Sequence, residues 1–427
     1  MTSNTAAPGA GTTHPQARRA IISSSIGNAL EWFDILIYGA FAVVIAKQFF
    51  PTGDDSVSLL LTFATFGVSF FMRPLGAVVL GAYSDRAGRK AALMLSIMLM
   101  TVGTAMIAFM PSYASIGLLA PAGIALGKMI QGFSAGGEFG SSTAFLVEHA
   151  PHRRGFFSSW QVASQGISLL LAAIFGAVLN NMLMPEQLAS WGWRVPFIFG
   201  LLIAPAGIYI RRHLDEAPEF KESSEKTDAP LRDTFAHQKM RLLIGAGSVI
   251  MATVSVYLSL YIPTYAVKQL GLPAWSSFAA MSVAGLIMFI GSPLVGAMSD
   301  KIGRTPFMIT SSALYIVLTY PMFVFLTNSP GFLQLLLLQT VIGVLMTMYF
   351  ASMPALLADI FPVATRGTGM SLAYNIAVTI FGGFAGLIIT WLIDFTGNKL
   401  SVSYFVIFGA VLSLIATLAA RFVLRLR

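Results

Sequence analysis

The chain has 427 residues, 56% of them hydrophobic and only 10% charged, with no cysteine and a formal net charge of +8. An ordinary soluble domain carries ~25% charged residues, so a soluble multidomain protein is excluded, and the lack of cysteine excludes a disulfide framework and a thiolate metal site. Apolar runs as long as a bilayer requires recur from end to end, and the short alternating segments of a β-barrel are absent, which indicates an all-α polytopic membrane protein.

In chain order, residues 1–20 are polar, rich in Thr, Pro and Gly, and read as a tail. The first apolar run carries acids and has no Ala-x-Ala exit, so it is expected to stay as helix 1 and not to be removed as a leader. Twelve helices are predicted, at 21–46, 58–82, 91–109, 116–148, 156–181, 192–210, 241–267, 275–298, 307–326, 332–358, 368–392 and 402–424. The segment between helices 6 and 7, RRHLDEAPEFKESSEKTDAPLRD, is the one strongly polar internal stretch and reads as a solvated linker with a short surface helix. The expected organisation is a tail (1–20), a six-helix bundle (21–210), a linker (211–240) and a second six-helix bundle with a short tail (241–427).

The two halves echo each other. Residues 81–90 read GAYSDRAGRK and residues 296–305 read GAMSDKIGRT, an offset of 215 positions, each a charged island between two apolar runs. Asp85 and Asp300 are expected to accept backbone N–H bonds where the next helix starts, and Gly88 and Gly303 to permit the turn. A second echo joins Glu148 and Arg154, after helix 4, to Asp359 and Arg366, after helix 10. Two echoes half a chain apart indicate a duplicated membrane protein. With Arg89 and Arg304, these eight residues form an expected charge network at one end, able to break and reform as the halves rock; plain topological anchoring is the alternative role. Twelve spans put both termini on one side. Of the 26 Lys and Arg, 20 fall in the tails and even-numbered loops, which predicts cytoplasmic termini and accounts for the positive charge without a nucleic-acid partner.

Five ionisable residues fall inside the apolar runs: Glu31 and Asp34 in helix 1, Arg73 in helix 2, Lys128 and Glu138 in helix 4. Each charge at mid-bilayer costs roughly 2.5–3.5 kcal/mol, so the five must be paired or face a wet cavity. At ~1.5 Å per helical residue, Arg73 lies about 18 Å from Asp85 and Glu138 about 15 Å from Glu148. Helical spacing puts Asn28 on the face of Glu31 and Asp34. It places Gln131 in the stripe of Lys128 and Glu138, and aligns Gln161 with Gln165 on helix 5. Glu31, Asp34 and Glu138 are the candidate proton carriers, Asp34 first, because two acids three residues apart repel and favour protonating one. The second half has no charge within its helices and offers neutral donors, namely Tyr257 and Tyr261 on helix 7, Tyr349 on helix 10, and Tyr374 and Asn375 on helix 11. Lys128, Gln161, Gln165, Tyr257 and Asn375 together suit a small polycarboxylate. A zwitterion would instead need an acid and an aromatic face for its cation.

The repeated G-x-x-S-D-[RK]-x-G-R loops resemble those of the major facilitator superfamily, and the resemblance covers the whole chain. More specific segments are GNALEWFD (27–34), FMRPLG (71–76), QGFSAGGE (131–138), RGFFSSWQ (154–161) and WGWRVPF (191–197). They resemble the metabolite:proton symporter family, whose members import carboxylates or zwitterionic osmolytes with protons. Residues 61–67, 71–83, 371–374, 381–383 and 396–399 resemble its citrate and tricarballylate branch, although Lys128 stands where the family usually has Arg. The resemblance implies the twelve-helix fold of two pseudo-symmetric halves. It also implies a proton-coupled importer of a citrate-like acid, working by alternating access in the bacterial inner membrane. A proline/betaine importer and a 2-oxoglutarate- or shikimate-type symporter are the alternatives within the family, and a multidrug exporter the nearest rival outside it. No enzyme, metal site or cofactor is expected, since all five His (14, 149, 152, 213 and 237) fall in tails or loops, and a monomer is expected.

Overall fold

In a computed structural model of the chain, residues 14–87, 89–136, 139, 143, 146–147, 152–212, 237–362 and 365–426 are described. Each of the twelve predicted stretches is helical there. Helix 1 starts earlier than expected and is broken, running His14–Ala40 and then Ala42–Phe49 with a 66° bend between them. Helices 2 to 6 are Asp55–Ala87, Arg89–Phe109, Leu119–Ala135, Arg154–Met182 and Val195–Arg212. Helices 7 to 9 are Lys239–Leu270, Ala274–Ile302 and Thr305–Asn328. Helix 10 has two pieces, Phe332–Phe350 and Met353–Ile360. Helix 11 runs from Arg366 to Val378, passes through a π turn at Thr379–Gly383, and continues as Ala385–Thr396; helix 12 is Ser401–Phe422.

The packing repeats with the sequence. In the first half, helix 1 lies against helices 5 and 6, helix 2 against 4, and helix 3 against 4 and 6; adding six to each number gives pairs that also pack in the second half. Across the halves, helix 5 packs on 8, helix 2 on 11 and helix 1 on 7, an arrangement that exchanging the halves reproduces. Large apolar side chains such as Leu202, Leu243 and Val317 are mostly exposed on the outside, the surface a lipid-facing bundle presents. Helix 7 and helix 10 line the middle, with 83% of an 18-residue apolar stretch buried in each, against 33% for helix 9.

Two glycines set the closeness of the pieces that matter. A Cβ on Gly285 of helix 8 would sit 2.6 Å from the backbone nitrogen of Leu170 on helix 5, and one on Gly132 of helix 4 would sit 1.7 Å from the carbonyl oxygen of Ser69 on helix 2. The first contact seals the two halves together. The second draws the helix that bears Lys128 against the one that bears Arg73.

The repeated loops differ from the expectation. Helix 2 runs on to Ala87 and helix 8 to Ile302, so Asp85 and Asp300 lie in the last turns of those helices and not at the starts of the next ones. Gly303 has a φ of +105°, the turn glycine the sequence predicts; Gly88 lies outside the described residues.

Candidate functional site

The ionisable groups of the first half sit at its centre. Glu31, Asp34, Arg73 and Lys128 are all buried. Glu138 and Glu148 lie outside the described residues, as do the side chains of Asp85 and Arg89 and residues 213–236 of the linker. The Arg73 guanidinium lies 3.5 Å from the Glu31 carboxylate and over the Phe70 ring, 4.5 Å from its centroid. Lys128 Nζ donates to Gln131 Oε1 at 2.9 Å, and stands over the rings of Tyr38 and Phe66, 4.4 and 5.3 Å from their centroids. Gln131 Nε2 donates to Thr104 Oγ1 at 2.9 Å, and the Thr104 hydroxyl donates to Asp34 Oδ2. Buried charges thus come with partners, as a low-dielectric interior demands.

On the face toward the second half lies an aromatic collar. Tyr257 of helix 7 sits within 6.3 Å, ring to ring, of Trp32, Phe66 and Phe70 from helices 1 and 2, and Phe63 meets Tyr261 at 5.7 Å. Phe139, after helix 4, stacks on Tyr374 of helix 11 with ring centroids 3.6 Å apart. These contacts all cross between the halves, so the collar stands where relative motion of the halves would open or close it. Several buried polar atoms have no protein partner: the Tyr257 hydroxyl, Gln161 Nε2, the Gln165 amide nitrogen and oxygen, and Arg73 Nε. Buried polar groups are nearly always hydrogen-bonded, so this set, on helices 2, 5 and 7, is suited to receiving an oxygen-rich ligand.

Other expected donors serve the scaffold. Asn28 donates to the Gln161 carbonyl at 2.9 Å and to Ser164 Oγ at 2.8 Å, fixing helix 1 against helix 5. Gln161 Oε1 accepts from Thr143 at 2.6 Å, which orients its amide. Tyr261 pairs with Thr390 at 2.9 Å, Tyr349 donates to the Ser248 carbonyl at 2.8 Å, and Asn375 reaches the Gly136 carbonyl at 3.4 Å across the halves. Gln131 is taken up between Lys128 and Thr104.

At the end that carries the repeated loops, ion pairs and hydrogen bonds of the described residues cross between the halves. Arg154 pairs with Asp359 of the other half at 2.9 Å, and Asp359 also pairs with Arg304. Arg304 stands 3.8 Å from Asp300. The Asp300 carboxylate accepts from the backbone N–H groups of Gly155 at 2.7 Å and Phe156 at 3.0 Å. An acid of the second half therefore caps the N-terminus of helix 5 in the first, where the helix dipole favours negative charge. Arg366 donates to the Ala358 carbonyl at 2.9 Å, tying helix 11 to the end of helix 10. At the opposite end Lys268, closing helix 7, pairs with Asp55, opening helix 2. Sequence reasoning did not pair those two, because neither belongs to a repeated motif.

The chain matches the Major Facilitator Superfamily over residues 24–326 and again over 279–427. It is 40% identical to a citrate-proton symporter of Klebsiella pneumoniae across 93% of this chain and 90% of the relative. It is 32% identical to a glycine betaine/proline/ectoine/pipecolic acid transporter of Dickeya dadantii, across 94% of this chain and 82% of the relative. Among solved structures, a partially occluded inward open conformation of the xylose transporter XylE from E. coli aligns with a TM-score of 0.75, covering 94% of this chain and 96% of that one at 17% identity.

Proposed function

Because this chain belongs to the Major Facilitator Superfamily, we propose that it is a proton-coupled symporter importing a small di- or tricarboxylate, citrate-like first, by alternating access. The observation that carries the reading is Lys128, a buried ammonium joined through Gln131 and Thr104 to the buried carboxylate of Asp34. The name of the Klebsiella relative, a citrate-proton symporter, supports it.

The charges supply the mechanism. Arg73 is matched by Glu31 and Lys128 by Asp34, so an entering anion leaves the site with an excess of negative charge. A proton on Asp34 cancels one of those charges and leaves Lys128 available to a substrate carboxylate. Anion and proton then each raise the other's affinity, which is what symport requires. A second carboxylate would draw on Arg73 and on the unpartnered donors of Gln161, Gln165 and Tyr257, since a buried carboxylate left unpaired is costly. Alternating access follows from the two ends. The Arg154, Asp359, Arg304 and Asp300 network holds one closed, and the Asp55–Lys268 pair the other. The protein acts in this reading as a transporter without chemical conversion of its cargo. It works as a monomer in the bacterial inner membrane, with both termini in the cytoplasm, as the bias of basic residues supports.

One observation favours an osmolyte instead. The faces of Trp32, Phe66, Phe70 and Tyr257 form the kind of collar that attracts a quaternary ammonium, and one relative carries betaine in its name. Thermal-shift measurements on the purified protein at about pH 5.5 and about pH 8 separate the two. Citrate, tricarballylate or 2-oxoglutarate stabilises it under the acid reading, more strongly at the lower pH. Stabilisation by betaine or proline with none from any acid would replace that reading with the osmolyte one.

A further inference from the structure

Asp34 lies between two different surroundings. Its Oδ2 accepts the hydrogen bond of Thr104, while Oδ1 has no protein partner and faces a cavity between helices 1, 3, 4 and 6. Ser96, Thr101 and Ser134 bring hydroxyls to the cavity wall, which also includes Glu31 and Gly200. The cavity has about 30 Å³ of space for water centres, enough for roughly two molecules at ~10–15 Å³ each.

On the Oδ2 side the donors all point one way, from Lys128 Nζ to Gln131 Oε1, from Gln131 Nε2 to Thr104 Oγ1, and from Thr104 to Asp34. Thr104 Oγ1 also lies 3.0 Å from the Met100 carbonyl oxygen. A hydroxyl has one proton and two lone pairs, so Thr104 can accept from Gln131 throughout but donate to only one of Asp34 and Met100 at a time. An ionised Asp34 is the stronger acceptor and takes the bond. A proton arriving through the cavity leaves a hydronium as water and forms an O–H bond at Oδ1. Oδ2 then becomes a neutral carbonyl, and the Thr104 proton turns to Met100.

We propose that Thr104 and Gln131 are positioning residues that couple the charge of Lys128 to the protonation of Asp34, with the lateral cavity as the proton's route. The inference rests on the reading of Asp34 as the coupling acid. With Asp34 ionised, its charge polarises the relay and strengthens each bond back to Lys128; with Asp34 neutral, those bonds persist but weaken, and the Lys128 charge is no longer offset by a carboxylate and can answer that of a substrate. The other charged groups of the described residues near this site are Glu31, on the same helix, and Arg73 of helix 2, which answer each other. Helices 3 and 6 present no ionisable side chain to the cavity.

Infrared titration of the purified protein tests this without transport. The protonated carboxyl band lost in Asp34→Asn identifies Asp34. Thr104→Val, which removes the donor to the ionised form, raises the titration midpoint of that band by about one pH unit, the size of a charge-assisted hydrogen bond; Thr104→Ser restores it. Adding citrate raises the midpoint in the parent protein, and Gln131→Leu shrinks that citrate-induced shift. Each variant is first checked for a monodisperse folded state, and Thr104→Ser with Gln131→Leu keeps the test open if the valine variant fails to fold. An unchanged midpoint in Thr104→Val, or an undiminished citrate shift in Gln131→Leu, would overturn the relay. A titrating band that survives Asp34→Asn, with none lost, would instead overturn the reading of Asp34 itself.

Discussion

A buried aspartate with one oxygen bonded to Thr104 and the other without a protein partner, beside a cavity lined by Ser96, Thr101 and Ser134, is placed to change its charge. Replacing it with Asn keeps the shape and removes the titration. Asp34→Asn is expected to abolish accumulation driven by a pH gradient while exchange of labelled for unlabelled substrate continues, measured as counterflow in vesicles; uphill uptake at the parent rate would sink the coupling role. The sequence made Glu31, Asp34, Arg73 and Lys128 conspicuous because a charge in an apolar helix is costly and must have a use. It gave no reason to pick Thr104. A lone Thr in an apolar helix ordinarily donates to the carbonyl four residues back, here that of Met100, and only the packing of helix 3 on helices 1 and 4 reveals the alternative acceptor, Asp34, and the donor, Gln131.

The helices show the same division between what pattern carries and what contact decides. All twelve stretches were legible because a bilayer demands length and apolarity, whatever the tertiary fold. The bend after Ala40, the break of helix 10 and the π turn of helix 11 were not, since the apolar runs continue through them. The duplicated loops disclosed the halves but not the partners. An echo pairs residues by analogy within a half, whereas Arg154 bonds to Asp359 and Asp300 caps helix 5 across the halves. Helices 5 and 8 meet through Gly166 and Gly285, where a Cβ would collide with the facing backbone. Gly285→Val should therefore cost at least the ~1–3 kcal/mol of overpacking and lower the thermal midpoint, read by thermal shift of the purified protein. An unshifted midpoint would mean that the halves are not in contact there in solution.

At the scale of the molecule, ion pairs at two opposite ends flank a collar of aromatic rings. If the Arg154–Asp359–Arg304 network is a gate, Asp359→Asn should change the transport rate several-fold while moving equilibrium affinity for substrate much less. A collapse of affinity with unaltered turnover would show that Asp359 serves the binding site. Gate, site and proton belong to one function, and uphill transport reads all three together. The purified protein in proteoliposomes with an alkaline interior is given labelled citrate outside, with and without a protonophore. Citrate is expected to accumulate inside above the external concentration, an accumulation abolished by the protonophore and by Asp34→Asn. Citrate that only equilibrates, or accumulation of betaine or proline while every carboxylate stays outside, would contradict it.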